Sequence, residues 1–293
     1  MKIWVTGCGG FLGQRLVARL GAAGHCLVGF SRTPVLVQGK TVVVDLASPT
    51  ARQALLEAVS SFGGPDVVIH AAARQPGPHR TADYVNGNVL TTANLLDALS
   101  GCPPRQLIYT STLSVYGVPS EHPVREESPT SGQSPYAVTK LAAEDLCALF
   151  QGTTVIFRLP TLYGAGHRDS FVDGLARLAI RGELIELYEN GGRVREALHV
   201  EDVVDAILGC LDRSPTERAS FFNLGAGRPI TSWEYAAALV AALKSPSRLL
   251  RVDEHSAQAF DLHVDIAKAR REIGFSPSPL SQSMKRYADE LQR

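Results

Sequence analysis

Along the first 160 residues, short continuous apolar runs alternate with stretches of helical period. "KIWVTG", "HCLVGFS", "TVVVDL", "DVVIHAA", "QLIYTST" and "TTVIFRLP" are rich in β-branched residues and show no polar alternation. Strands of that kind are covered on both faces, as in a parallel sheet. Between them, "FLGQRLVARLGAAG" repeats apolar positions at helical spacing, with Phe11, Leu12, Leu16 and Leu20 on one side, and residues 50–60 and 88–99 do the same. Strand–helix alternation predicts an α/β fold, a Rossmann-type doubly wound parallel sheet with right-handed crossovers. The Pro- and Gly-rich stretches at 117–135 and 160–169 follow strands. Ligands of open α/β sheets bind beyond strand C-termini.

The chain has 293 residues, with 45% hydrophobic and 20% charged, enough for a sizeable core in one or two domains. Lys+Arg and Asp+Glu are 29 each. That balance argues against nucleic acid or an anionic membrane as a partner. No apolar run reaches a membrane span. Met1-Lys2 leads directly into a strand, which leaves no room for a signal peptide. The five Cys are scattered without metal-type spacing, as expected of free thiols in a reducing, cytoplasmic setting with no metal site.

"TGCGGFLG" joins the first strand to the first helix and spaces Gly7, Gly10 and Gly13 as GxxGxxG. These glycines permit a tight turn, close backbone approach to a pyrophosphate, and close helix–strand packing. Helix N-terminal amides then favour phosphate. The second strand ends in "GFSRTP", where Ser31 and Arg32 stand in place of the carboxylate of an NAD site. A guanidinium suits a 2′-phosphate, so NADP is the expected cofactor, with NAD the alternative. Asp45, at the end of the next strand, is placed either to contact adenine or to cap the following helix.

"SPYAVTK" puts Tyr136 and Lys140 on one face of a helix. "QLIYTST" ends in Ser111 and Thr112, whose hydroxyls lie where a buried strand runs out. A strand-end hydroxyl orients a substrate oxygen, a phenol exchanges its proton, and an ammonium lowers the phenol pKa. Over a nicotinamide, the set moves a proton at a carbinol while hydride is transferred.

With these residues in view, the chain resembles an extended short-chain dehydrogenase/reductase of the nucleotide-sugar epimerase/dehydratase type. "TGCGGFLG", "VIHAAA", "STLSVYG", "SPYAVTK", "FRLPTLYGAG", "REALHVEDVVDAI", "FFNLGAG" and "IAKARREIGFSP" occur in that family's order. The resemblance implies Thr112, Tyr136 and Lys140 as catalytic triad. It implies a cofactor lined by Gly7, Gly10, Phe11, Leu12, Gly13, Ser31, Arg32, Asp45, Leu46, Ala71, Ala72, Ala73, Asn88, Tyr136 and Lys140. It implies a nucleotide-sugar substrate touching Ser111, Thr161, Arg193 and Arg195, with Arg195 on the diphosphate. Leu113 and Ser114 replace the acid pair that eliminates water in 4,6-dehydratases, and Thr161 replaces an Asn. His70 and His199 read as structural, Asp202 as a first-turn acid or cap, and Thr231 or Ser232 as a cap.

A Rossmann-type NAD(P)-binding domain is expected over about 1–160 plus about 195–230, and a smaller substrate-binding domain over 161–194 and 231–293. The expected activity is oxidoreduction or epimerisation at a sugar carbon, tilted to the reductase by Ser31 and Arg32. A small-ketone or aldehyde reductase and a non-enzymatic NADP(H) sensor are the alternatives; the intact Tyr136/Lys140 pair argues against the sensor. Family members often dimerise through the helices holding 88–99 and 136–150, so a homodimer is the expected assembly.

Overall fold

The computed structural model describes residues 1–35, 38–167, 169–213, 215, 217–255 and 260–292. In chain order its strands are β1 Lys2–Thr6, β2 Cys26–Ser31, β3 Lys40–Val43, β4 Val67–His70, β5 Gln106–Thr112, β6 Thr153–Leu159, β7 Thr161–Tyr163, β8 Ile185–Leu187, β9 Ala197–His199, β10 Ala219–Asn223 and β11 Leu249–Arg251. The helices are α1 Phe11–Ala22, α2 Ala51–Phe62, α3 Thr81–Tyr84, α4 Thr91–Leu99, α5 Pro135–Ala148, α6 Phe171–Arg181, α7 Val200–Asp212, α8 Ser232–Leu243, α9 Ala267–Ile273 and α10 Leu280–Leu291.

Seven strands form one sheet in the order β10-β6-β5-β4-β1-β2-β3. The pairs β1–β2, β1–β4, β2–β3 and β4–β5 are parallel. The order reverses between β1 and β4, the switch point where Rossmann-type sheets place ligands. Trp4, Val28, Phe30, Val68, Leu107 and Tyr109 pack against α2, α4 and α5 in one apolar cluster. The expected fold class is the one observed.

Three local readings change. The buried face of α1 is Gly13, Leu16, Val17, Leu20 and Gly21, while Phe11 and Leu12 are half-buried. A Cβ on Gly13 would lie 2.0 Å from the Gly7 carbonyl oxygen, so backbone contact sets the helix rotation. The strand expected to reach residue 46 ends at Val43, because Asp45 turns the chain by accepting from the Ala47 N–H at 3.0 Å. The helix read at 88–99 begins earlier: α3 runs into a π-helical turn, Val85–Leu90, before α4. β10 was not read as a strand, since its five residues, ASFFN, form neither an unbroken apolar run nor a polar alternation.

Two units divide the chain. Unit 1 is Met1–Gly117, Pro129–Arg158 and Val204–Phe222; unit 2 is Val118–Ser128, Leu159–Val203 and Asn223–Arg293. The boundaries differ from those read off the sequence. Residues 118–128 join unit 2 because Val124 N–H donates to the His263 carbonyl at 2.8 Å and Asp265 N–H to the Val124 carbonyl at 2.8 Å. Residues 195–203 and 223–230 join it because β9 pairs with β7 and Arg195 N–H donates to the Ile230 carbonyl at 2.9 Å.

Within unit 2, Tyr163, Leu175, Ile185, Tyr235, Leu239, Met284 and Tyr287 form the core. Thr231 caps α8 by accepting from the Glu234 N–H, and Ser170 caps α6 by accepting from the Asp173 N–H. Asp202 sits in the first turn of α7, where its Oδ1 accepts from the Ser278 hydroxyl at 2.7 Å. No helix among the described residues is long and apolar enough to cross a membrane.

Candidate active site

The glycine loop is packed too tightly for any side chain at two positions. Gly7 adopts φ +69°, and a Cβ there would lie 2.8 Å from the Ala72 backbone nitrogen. The Gly13 contact with Gly7 closes the other side. The α1 N-cap is Gly10, which supplies no side-chain cap, so the first-turn amides stay open to an anion. Phe11 and Leu12 form that turn. Ser31 ends β2, and its hydroxyl lies 2.8 Å from where a Gly9 Cβ would be, so the hydroxyl borders the loop. Arg32 follows in an exposed turn. This cradle fits a dinucleotide's pyrophosphate and ribose.

Asp45 is exposed and spent on its turn, while Thr50 is the N-cap residue of α2; the capping alternative for Asp45 is therefore not realised. Leu46 is buried, and its carbonyl accepts from Asn94 Nδ2 at 2.8 Å. Ala71, Ala72 and Ala73 follow β4 half-buried. Asn88 lies in the π turn with its amide committed on both sides. Its Oδ1 accepts from Arg74 N–H at 2.8 Å and its Nδ2 donates to Thr139 Oγ1 at 2.9 Å. His70 is fully buried between Thr6 Oγ1 at 2.7 Å and Thr92 Oγ1 at 3.0 Å, and burial pushes its pKa down to about 3.

"SPYAVTK" starts a helix for local reasons. Ser134 Oγ accepts from the Ala137 N–H at 3.2 Å, and Pro135 takes the first helical position. α5 then presents Tyr136 and Lys140 to the end of β5. The Thr112 side chain lies near enough to the Tyr136 hydroxyl to lower its pKa, and the Tyr136 ring meets Tyr84 edge-on at 6.2 Å between centroids. Thr112 also accepts from the Ser114 N–H at 3.2 Å. Lys140 Nζ donates to the Thr110 carbonyl at 2.6 Å and lies 4.2 Å from the centre of the Tyr109 ring. The Ser111 hydroxyl is buried and has no hydrogen-bond partner among the described residues, which leaves it a group for a ligand to engage.

The electrostatics differ from expectation. Burial raises the Tyr136 phenol to about 12, against the Thr112 side chain, which pulls it down. Burial also lowers the Lys140 ammonium to about 7, against the pull of Cys147 and Glu144. In the free protein, desolvation therefore outweighs the lowering that the i, i+4 spacing suggested.

In unit 2, Thr161 is exposed on β7, opposite Ala197 of β9. Arg193 Nε donates to the Phe260 carbonyl at 3.2 Å. Arg195 Nε donates to Ser232 Oγ at 2.9 Å, and its guanidinium stacks 4.9 Å over the Phe171 ring. Burial lowers the Arg195 pKa, and the neighbouring Arg193 charge adds to that. No carboxylate lies within 4.0 Å of either among the described residues. Glu189 acts on Arg195 only from longer range, and two adjacent guanidiniums with no ion-paired carboxylate among the described residues suit a phosphate.

Several site neighbours carried little sequence signal. Thr6, Thr92 and Thr139 each hold a polar site residue, yet threonine in a strand or helix is ordinary. Only the i+3 spacing of Thr139 from Tyr136 marks one of them in advance.

A family model described as "NAD dependent epimerase/dehydratase family" matches residues 3–225. UDP-glucose 4-epimerase of Mycolicibacterium smegmatis is 27% identical over 303 residues, covering 94% of each chain. dTDP-glucose 4,6-dehydratase of Streptomyces niveus is 30% identical over 305 residues, covering 94% of this chain and 88% of its own. The structure of MoeE5 in complex with UDP-glucose and NAD superposes with a TM-score of 0.83 at 27% identity, over 100% of this chain and 99% of the other. Glycine cradle, seven-stranded sheet and family match agree: the chain belongs to the NAD-dependent epimerase/dehydratase family of enzymes.

Proposed function

We propose that this protein is an NAD(P)-dependent epimerase acting on a ring carbinol of a nucleotide-linked sugar, with Tyr136 as the proton-transfer group. The observation that carries the reading is the approach of the Tyr136 phenol on α5 to Thr112 at the end of β5, close enough for the Thr112 side chain to pull the phenol pKa down, with Lys140 one turn along the same helix. A nicotinamide cofactor bound at the glycine loop supplies the hydride acceptor and donor and, oxidised, a positive charge.

Tyr136 takes the proton of the substrate hydroxyl as the carbinol becomes a ketone, and returns a proton when the ketone is reduced on its other face. The Thr112 and Ser111 hydroxyls orient the reacting oxygen. At about 12, the Tyr136 phenol is set to donate; a positive charge beside it favours the phenolate, and Lys140, one turn along α5, is the side chain that would supply one. Arg193 and Arg195 match a diphosphate in charge and geometry. Leu113 and Ser114 offer no acid pair for elimination, which separates this chain from its dehydratase relatives.

A net NADPH-dependent reductase is the second reading, favoured by Ser31 and Arg32 at the end of β2. One experiment separates the two. Purified protein is incubated with UDP-glucose, UDP-glucuronate and dTDP-glucose, with NAD or NADP, and products are followed by NMR. Epimer formed without net cofactor consumption supports the epimerase; stoichiometric NADPH oxidation on a keto-sugar supports the reductase. Absence of both across nucleotide sugars, with turnover of simple ketones, would refute the nucleotide-sugar reading.

A further inference from the structure

Buried side chains in unit 1 form a continuous hydrogen-bonded path whose direction is determined. Thr92 Oγ1 donates to the Asn88 carbonyl at 2.6 Å, and a carbonyl only accepts. That uses the single proton of the hydroxyl. Toward His70, 3.0 Å away, Thr92 therefore accepts, and His70 Nε2 carries the ring proton. At the other end, Ala72 N–H donates to Thr6 Oγ1 at 3.2 Å, which leaves the Thr6 proton to point at His70 Nδ1, 2.7 Å away. Beyond the Asn88 backbone the path continues through its side chain. Asn88 Nδ2 donates to Thr139 Oγ1 at 2.9 Å, and the single Thr139 hydroxyl proton is shared between the carbonyls of Pro135 at 2.8 Å and Tyr136 at 2.9 Å.

The path crosses five elements, β1, β4, the π turn, α4 and α5. It begins at Thr6, next to the Gly7 turn, passes β4 and the π turn, and ends on the first turn of α5. The π turn is part of the device. Thr91 Oγ1 donates five residues back to the Asn86 carbonyl at 3.1 Å, and the widened turn sets Asn88 between the Arg74 amide and α5. His70 is enclosed: Tyr109 packs 5.5 Å from its ring, and the charge it feels from α5 is that of Lys140. A cationic ring would donate from both nitrogens, which would reverse the Thr6 link and turn the Thr6 proton away to another acceptor.

We propose that Thr6, His70, Thr92, Asn88 and Thr139 are one directional relay, with His70 fixed as its neutral Nε2–H tautomer, that positions Tyr136 relative to the glycine-loop strand. The positioning role rests on the reading of Tyr136 as the proton-transfer group; the tautomer does not. His70 is thus a positioning residue for the reaction rather than core filler.

Two measurements test this independently. In protein labelled with ¹⁵N histidine, long-range ¹H–¹⁵N spectra should show one ring, absent in His70→Gln, as the Nε2–H tautomer from pH 5 to pH 8. An Nδ1–H tautomer, or titration of that ring in this range, overturns the relay whatever the enzyme acts on. The second measurement is turnover of the nucleotide sugar accepted by the wild type. Ångström-scale misplacement costs up to about 10²-fold in rate, so Thr92→Val, which keeps shape but not the hydroxyl, should lose about 10-fold in kcat with KM held within about 2-fold. His70→Leu should lose at least as much. His70→Gln, which offers one donor and one acceptor, should recover most of the rate. Unchanged kcat in folded Thr92→Val, or Gln no better than Leu, overturns the positioning role. If the wild type turns over no nucleotide sugar, the functional reading and the positioning role fall together, and the spectra still judge the tautomer.

Discussion

Arg158 and Glu144 form a buried ion pair. Arg158 Nη2 lies 2.8 Å from Glu144 Oε2, and Nη1 donates to the Tyr116 hydroxyl at 2.8 Å. Glu144 lies two turns beyond Tyr136 on α5, and Tyr116 closes the 3₁₀ turn that follows Thr112. The pair thus ties the helix carrying the phenol to the loop carrying its hydroxyl partner. Glu144→Ala leaves a buried guanidinium without its carboxylate and should cost about 3–5 kcal/mol. Glu144→Leu with Arg158→Met should be less damaging than Glu144→Ala alone. Urea unfolding of wild type and the two variants checks this; a double variant no more stable than Glu144→Ala would contradict it.

Tyr136→Phe keeps the ring and its edge contact with Tyr84 while removing the exchangeable proton. Cofactor affinity should hold, and the chemical step should fall by about 10² to 10⁴. Single-turnover kinetics with the accepted sugar measures the drop. Near wild-type turnover would remove Tyr136 from its role and make Tyr116 the next phenol to examine.

Cofactor choice should follow Arg32. NADP(H) is expected to bind more tightly than NAD(H), and Arg32→Ala should erase that margin while leaving NAD affinity unchanged. Calorimetric titration of both cofactors decides it; equal wild-type affinities would show that the exposed guanidinium does not reach a 2′-phosphate.

Lys140 gives a pH signature in the cofactor-free protein. Its folded pKa is about 7, below the unfolded value of 10.5. Between those values the unfolded chain holds more protons, so this group's contribution favours folding as pH rises. Below 7 both states are protonated and the burial cost is at its full size. Lys140→Met should therefore raise the melting temperature more at pH 6 than at pH 9. A gain independent of pH would mean that the ammonium is not desolvated as the structure shows.

No 4,6-dehydratase activity is expected. Leu113 is buried and apolar, and Ser114 is held by Thr112, so neither can serve as an eliminating acid or base. Steady formation of 4-keto-6-deoxy product from dTDP-glucose would contradict this.

Local signals carried much of this protein. The parallel sheet was legible because strands covered on both faces need unbroken apolar runs, and the glycine loop because its turn excludes side chains. The start of α5 was legible because Ser134 and Pro135 act within one turn. Spacing also placed Tyr136 and Lys140 on one helical face, which is geometry within a single element. What spacing could not supply was the medium around them. Desolvation by distant residues raises the Tyr136 phenol and lowers the Lys140 ammonium, and burial is a sum over neighbours from several elements. The same holds for Asp45, which turns the chain locally, and for the edges of unit 2, drawn by backbone bonds such as Val124 to His263. It holds most for His70. Its sequence context says only that it ends a buried strand. Its tautomer depends on hydroxyls that lie 64 residues before it and 22 after it, because each of those protons can be used only once.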